Sequence, residues 1–218
     1  MSDCIDTYWE KRIAACKKAL EANNFDAYLA EDLEQAEQLI LDTILPELSV
    51  KSVSWGDSET FFATRVPAQL RANPAIEIIE TFEKGVPRAE IIARRRQALL
   101  VDLFFTGSNA LTETGQLVNL DMIGNRVAGL VFGPHNVIVV VGRNKIVPDP
   151  TAAMTRIRAY AAPLNAIKHT RLKTPCQTTA SCVDCKSPDR ICNIWSITEK
   201  SFPKGRIKVV IINQDLGL

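Results

Sequence analysis

Residues 136 to 141 read Asn-Val-Ile-Val-Val-Val. Five consecutive apolar β-formers with no in-out alternation describe a strand covered on both faces, as in a parallel sheet flanked by helices. A second run of this kind, "RIKVVII" from Arg206 to Ile212, returns the chain to the sheet near its C-terminal side. Upstream, short extended segments alternate with helical ones. The pattern predicts strands over 25–30, 50–55, 75–79, 103–106 and 117–120. It predicts helices over 32–45, from Ser58 onward, over 88–101 and over 149–160. The fold class is α/β, with an open, mostly parallel sheet flanked by helices.

At the N-terminus Trp9, Ile13, Cys16 and Leu20 fall on one helical face, so residues 1–24 read as an amphipathic helix and Cys16 as a core thiol. Residues 25–218 read as one α/β domain, interrupted over 171–193 by a polar, cysteine-rich insertion placed between a helix and the last strand. No internal repeat or Pro/Gly/Ser-rich linker divides the chain further.

Composition excludes several classes of function. A formal net charge of +1 supplies no field for nucleic acid, and basic residues are scattered apart from Arg94, Arg95 and Arg96. No apolar run approaches membrane-spanning length, and the start "MSDCIDTYWEKR" lacks a secretory pattern, so the expected location is cytoplasmic. In a reducing compartment clustered cysteines bind metal or do redox work more often than they form structural disulfides.

The clustered cysteines are Cys176, Cys182, Cys185 and Cys192, spaced C-x5-C-x2-C-x6-C. The CVDC core is a chelating pair, and the outer two can fold back to complete four thiolate ligands. A zinc ribbon usually separates two such knuckles by a β-segment, whereas an iron-sulfur cluster tolerates this compact wrapping, so a [4Fe-4S] cluster leads and zinc is the alternative; disulfides or free thiols stay open. Thr174, Ser181, Lys186 and Arg190 can donate hydrogen bonds or positive charge around the sulfurs.

Three other segments carry candidate chemistry. In "SVSWGDSET", Gly56 permits close backbone approach and Ser58 opens a helix, which suits either an anion site or a plain Ser-capped turn. The segment 106–126 gathers Asn109, Thr112, Glu113, Asn119, Asp121, Asn125 and Arg126 among Gly107, Gly115 and Gly124. Such groups at the carboxyl ends of parallel strands would converge on a ligand, with Glu113 as base or nucleophile and Arg126 facing an anion; equally, the segment reads as a β-hairpin turning at Glu-Thr-Gly. Lys145 in "VGRNKIVPD" either faces the same crevice or is a solvated surface charge. His135 and His169 read as solvent-exposed.

The stretch "TGSNALTETGQLVNLDMIGNRVAGLVFGPHNVIVVVGRNKIVPD", with "WGDSET", "AAPLNA" and "CVDCKSPDRICN", closely resembles the LUD-domain family of lactate-utilization proteins. That family is similar in fold to ribose-5-phosphate isomerase, glucosamine-6-phosphate deaminase and the CoA transferases. The resemblance implies an anion-holding loop at Gly56 and Ser58 and an acidic region at Glu113 and Asp121. By the same token Gly107, Asn109, Thr112, Asn125, Arg126, Asn144 and Lys145 fall at ligand-binding positions. Asp57 and Glu59 depart from the isomerase loop and would repel a phosphate. The resemblance further implies lactate-to-pyruvate oxidation together with iron-sulfur oxidoreductase subunits, with a small anionic metabolite as ligand. Two other functions are expected as alternatives: an isomerase or CoA/acyl-transferase-type enzyme using Glu113 beside a structural zinc, and a non-catalytic partner or regulatory subunit.

Overall fold

The computed structural model describes residues 2–218. Helix α1 (Ser2–Ala22) lays Ile13, Cys16 and Leu20 into the core, as their spacing requires. The chain continues through β1 (Asp26–Ala30), α2 (Leu33–Gln38, prolonged by a π turn to Ile44), β2 (Ser52–Trp55), α3 (Glu59–Ala63), α4 (Val66–Ala72) and β3 (Glu77–Ile79). Then come α5 (Arg88–Gln97), β4 (Leu103–Thr106), β5 (Ala110–Thr112), β6 (Leu117–Asp121), α6 (Asn125–Val131) and β7 (Asn136–Gly142). The last elements are β8 (Ile146–Val147), α7 (Pro150–Arg156), α8 (Ala162–Lys168), α9 (Cys176–Thr179), β9 (Ile194–Thr198) and β10 (Ile207–Ile212).

Helix starts follow side-chain capping. Asp32 accepts from Gln35 N at 2.8 Å, Ser58 from Phe61 N at 3.2 Å and Asp149 from Ala152 N at 2.8 Å, each satisfying a first-turn N–H.

Six strands form one sheet in the order β1-β10-β7-β4-β2-β3, all paired in parallel. The apolar run of β7 is covered on both faces. Val137, Val139 and Val141 meet α1 and α6 residues such as Ile13 and Leu130, while Ile138 and Val140 meet Ile40, Phe61 and Leu70. Each such burial contributes roughly 1.5–3 kcal/mol relative to exposure, so a charge at any of these positions would oppose folding.

Four further strands make a smaller sheet, β8-β5-β6-β9, whose β5–β6 pair is the antiparallel hairpin read in segment 106–126. At its turn Gly115 adopts φ +79, and a Cβ there would stand 2.6 Å from the Ala19 backbone of α1. Strand β9 pairs antiparallel with β6 over Leu117↔Thr198 to Asp121↔Ile194, and it lies outside the elements expected from the sequence. Ile194 and Ile197 are exposed on this edge strand, so it lacks the apolar continuity that marks a core strand. The cysteine-rich segment therefore leads from α8 into the smaller sheet before β10 completes the larger one. The helix expected over 149–160 also runs on, through a π turn, into α8. Among the described residues no helix is long and apolar enough to cross a membrane.

Candidate functional site

In a parallel sheet the loops leaving the carboxyl ends of the strands surround a crevice. Here those loops border a cleft of about 1080 Å3. Its floor is Ser58 after β2, Gly107, Ser108 and Asn109 after β4, and Lys145 after β7. One wall carries Asp121, Asn125 and Arg126; another carries Phe62, Phe82, Ile91 and Arg95; the rim includes Lys168, His169, Ile191 and Cys192.

Lys145 is 5% exposed, against the surface-charge reading of its sequence context. Its Nζ donates to Thr60 Oγ1 at 3.0 Å, whose own hydroxyl donates to Leu216 O at 3.3 Å. Among the described residues it makes no ion pair. Burial, reinforced by the Arg156 and Arg126 charges, pushes its amine down to about 7, with Glu59 opposing. Arg95, from the basic triplet, stacks on Phe82 at 5.1 Å, and its buried Nε has no hydrogen-bond partner among the described residues. Burial holds this guanidinium below its ordinary value.

Arg126 and Asp121 form a tied unit. Arg126 Nε donates to Asp121 Oδ1 at 3.4 Å, and Nη2 donates to Leu120 O at 3.2 Å and Asn109 Oδ1 at 3.4 Å. Asp121 also accepts from the backbone N–H groups of Met122, Arg126 and Val127. This carboxylate is committed to fixing the start of α6 and the guanidinium above the floor. Asn109 is likewise occupied, accepting from Leu120 N and donating its backbone N–H to Asn119 Oδ1. Gly56 lies beneath Arg126 rather than on the cleft surface. Ser58 is the helix cap of α3 as well as part of the floor. The two acids flanking it share one cation from α8, where Lys168 pairs with Glu59 and lies 3.6 Å from Asp57.

The structure does not bring every expected residue to this cleft. Glu113 sits at the hairpin turn, where Arg12 of α1 meets it at 2.5 Å, and it is not part of the cleft lining. Thr112 is fully buried and bonds within the hairpin to Thr114 and Gln116. Asn144 accepts from Leu216 N at 3.1 Å, bracing the strand end behind Lys145. His135 is exposed as expected, whereas His169 is half-buried at the rim. Arg95 and Lys168 on the lining, and Thr60 behind Lys145, carry no local sequence pattern that points to the cleft. Only the Arg94–Arg96 triplet gave a signal for one of them.

Cys176, Cys182, Cys185 and Cys192 line one hollow of about 20 Å3, together with Arg158, Ala162, Thr174, Val183, Asp184, Arg190 and Ile191. Arg190 binds this segment into shape, donating to Cys192 O at 2.8 Å, Cys185 O at 2.7 Å and Asp184 Oδ1 at 2.8 Å. Thr174 Oγ1 lies 3.3 Å from Cys176 Sγ. Burial, and then the proximity of Cys182, raise the Cys192 thiol to about 11, with Arg190 opposing. The donor set fits a thiolate-bound metal group, with two guanidiniums beside it to offset negative charge. Among the described residues no three Cys, His, Asp or Glu side chains stand ready-made around a single ion. Cys16, by contrast, is fully buried under the hairpin, donates to Thr112 O at 3.3 Å, and is pushed by burial up to about 12.

The fold is that of an α/β protein with a cleft at the carboxyl edge of a parallel sheet. The LUD domain family matches residues 13–212, and the chain belongs to that family, which is associated with lactate utilization. A solved structure of a DUF162 family protein from Deinococcus radiodurans shares the fold. It has TM-score 0.52 at 12% identity and covers 94% of this chain and 98% of its own. Comparison with curated proteins returned no match.

Proposed function

We propose that this is a lactate-utilization-type protein that takes a small anionic metabolite into the cleft and carries a [4Fe-4S] cluster on Cys176, Cys182, Cys185 and Cys192. The observation that carries the reading is a shared wall: Ala162, Ile191 and Cys192 line both the cleft and the cysteine hollow. Through these residues the rim of the cleft adjoins the cysteine hollow. A cluster, when bound, supplies one-electron transfer. The chain's own residues receive the acid: Arg95, with its unsatisfied Nε, and Arg126, fixed by Asp121, present guanidiniums that suit a carboxylate. Phe62, Phe82 and Ile91 give the wall that carries Arg95 an apolar lining. The volume is large for a small-molecule site, so a three-carbon acid would occupy only the cationic floor. Oxidising lactate removes two electrons, which requires onward acceptors, and iron-sulfur oxidoreductase subunits are the partner class this reading names.

Anaerobic purification followed by iron and sulfide analysis tests the cluster. About four of each per chain is expected for a cuboidal cluster. A colourless protein free of iron and sulfide sinks it. A structural zinc is the second reading, favoured by the small hollow, which has room for about one water-sized occupant as it stands. Zinc near one per chain without sulfide would establish it.

A further inference from the structure

We infer that Lys145 is an amine nucleophile that captures the carbonyl carbon of a 2-oxo acid in the cleft as an imine. Three geometric facts carry this. The side chain is buried yet lines the cleft floor. Its Nζ is held by Thr60 Oγ1 at 3.0 Å, with no carboxylate paired to it among the described residues. Arg156 from α7 reaches the backbone of the adjacent Asn144, Arg126 from α6 lines the same cleft, and Glu59 from α3 is engaged by Lys168. The C-terminal Gly217 packs beside the Nζ and Leu218 lines the cleft with it, without an ion pair to it among the described residues. A buried lysine beside other cations, with no acid to hold its proton, is a usable nucleophile at neutral pH; an ordinary surface lysine is not. The lowered amine value of about 7 agrees with that geometry.

The step balances without an outside oxidant or reductant. The Nζ lone pair forms a C–N bond to the carbonyl carbon, and the carbonyl oxygen departs as water with the two amine hydrogens, leaving C=N. Arg126 and Arg95 line the same cleft and supply guanidiniums for the carboxylate of the acid. The choice of a 2-oxo acid rests on the reading above, since oxidation of a 2-hydroxy acid yields one. The lysine chemistry itself does not depend on a cluster.

Treating the full chain with pyruvate and sodium borohydride, then mapping peptides by mass spectrometry, tests the inference. The expected result is a reduced adduct concentrated on Lys145, half-maximal near pH 7 and abolished by Lys145→Met. Adducts spread over surface lysines, or trapping that develops only above about pH 10, overturn it. If Lys145→Met does not fold, the site and pH profile of the wild-type adduct decide alone. A neutral aldehyde in place of pyruvate separates the two cationic roles: equal trapping overturns the part given to the guanidiniums. Trapping at Lys145 in a preparation without iron and sulfide leaves this inference standing while the cluster reading falls, and a loaded cluster without trapping does the reverse.

Discussion

A Cβ added at Gly56 would stand 2.6 Å from Cγ of Arg126, so the backbone after β2 is the shelf on which that guanidinium rests. Gly56→Ala must push Arg126 aside. The expected cost is about 1–3 kcal/mol of stability, with weaker binding of lactate or pyruvate by calorimetry. Unchanged affinity would show that Arg126 does not face the acid.

The Arg12–Glu113 pair ties α1 to the hairpin turn, with the two side chains 19% and 39% exposed. A pair this open contributes at most about 1 kcal/mol. Glu113→Gln should therefore lower Tm slightly and leave metal content and ligand binding unaltered. Loss of an activity with binding retained would instead favour the isomerase or transferase alternative.

Gly115→Ala meets two obstacles at once, a positive φ and the α1 backbone at 2.6 Å. Neither neighbour is a flexible side chain, so the penalty should exceed about 2 kcal/mol in urea unfolding. A smaller loss would mean that α1 can lift off the hairpin.

Replacing any of Cys176, Cys182, Cys185 or Cys192 by Ser should strip iron and sulfide from the anaerobic protein. Cys16→Ala should not, because that thiol lies in the core beneath Thr112 O. With its pKa pushed up to about 12, native Cys16 should also resist iodoacetamide at pH 8 until the chain unfolds. Rapid labelling of Cys16 in the folded protein would contradict its placement.

Lys145 gives stability a pH dependence of definite sign. Its folded value lies near 7 and its ordinary value is 10.5, so between these limits the unfolded chain binds a proton that the folded chain does not. Stability from this group therefore rises with pH across that window, and the charge burial cost is complete below it. Urea midpoints should climb from pH 7 to 10 in the wild type, less so in Lys145→Met. Identical slopes would place the titration elsewhere.

Much of the scaffold was legible in local chemistry. The unbroken Val137–Val141 run announced a doubly covered strand, and Asp32, Ser58 and Asp149 announced helix starts through side chains that could accept from first-turn N–H groups. Strand β9 was not legible, because an edge strand with exposed Ile194 and Ile197 is stabilised by its partner β6 rather than by its own pattern. The site divided similarly. Asp121 and Lys145 reached the cleft because they stand at or just past a strand's end, and Arg126 because it opens the helix that follows β6. Glu113 did not, because the hairpin carries its turn toward α1, and only the partner Arg12 reveals that direction. Lys168 pairs with Asp57 and Glu59 from far along the chain, a tertiary contact that no local spacing encodes.

Strand β10 lies between β1 and β7 yet follows both in the sequence. During synthesis the larger sheet must therefore wait as two separate edges until residues 207–212 emerge and bridge them. Such pairings across nearly the whole chain are slow to find and leave apolar edges open meanwhile. The cysteine segment leaves the ribosome before that closure. A ribosome stalled before Ile207 would present a nascent chain for chaperones to shield.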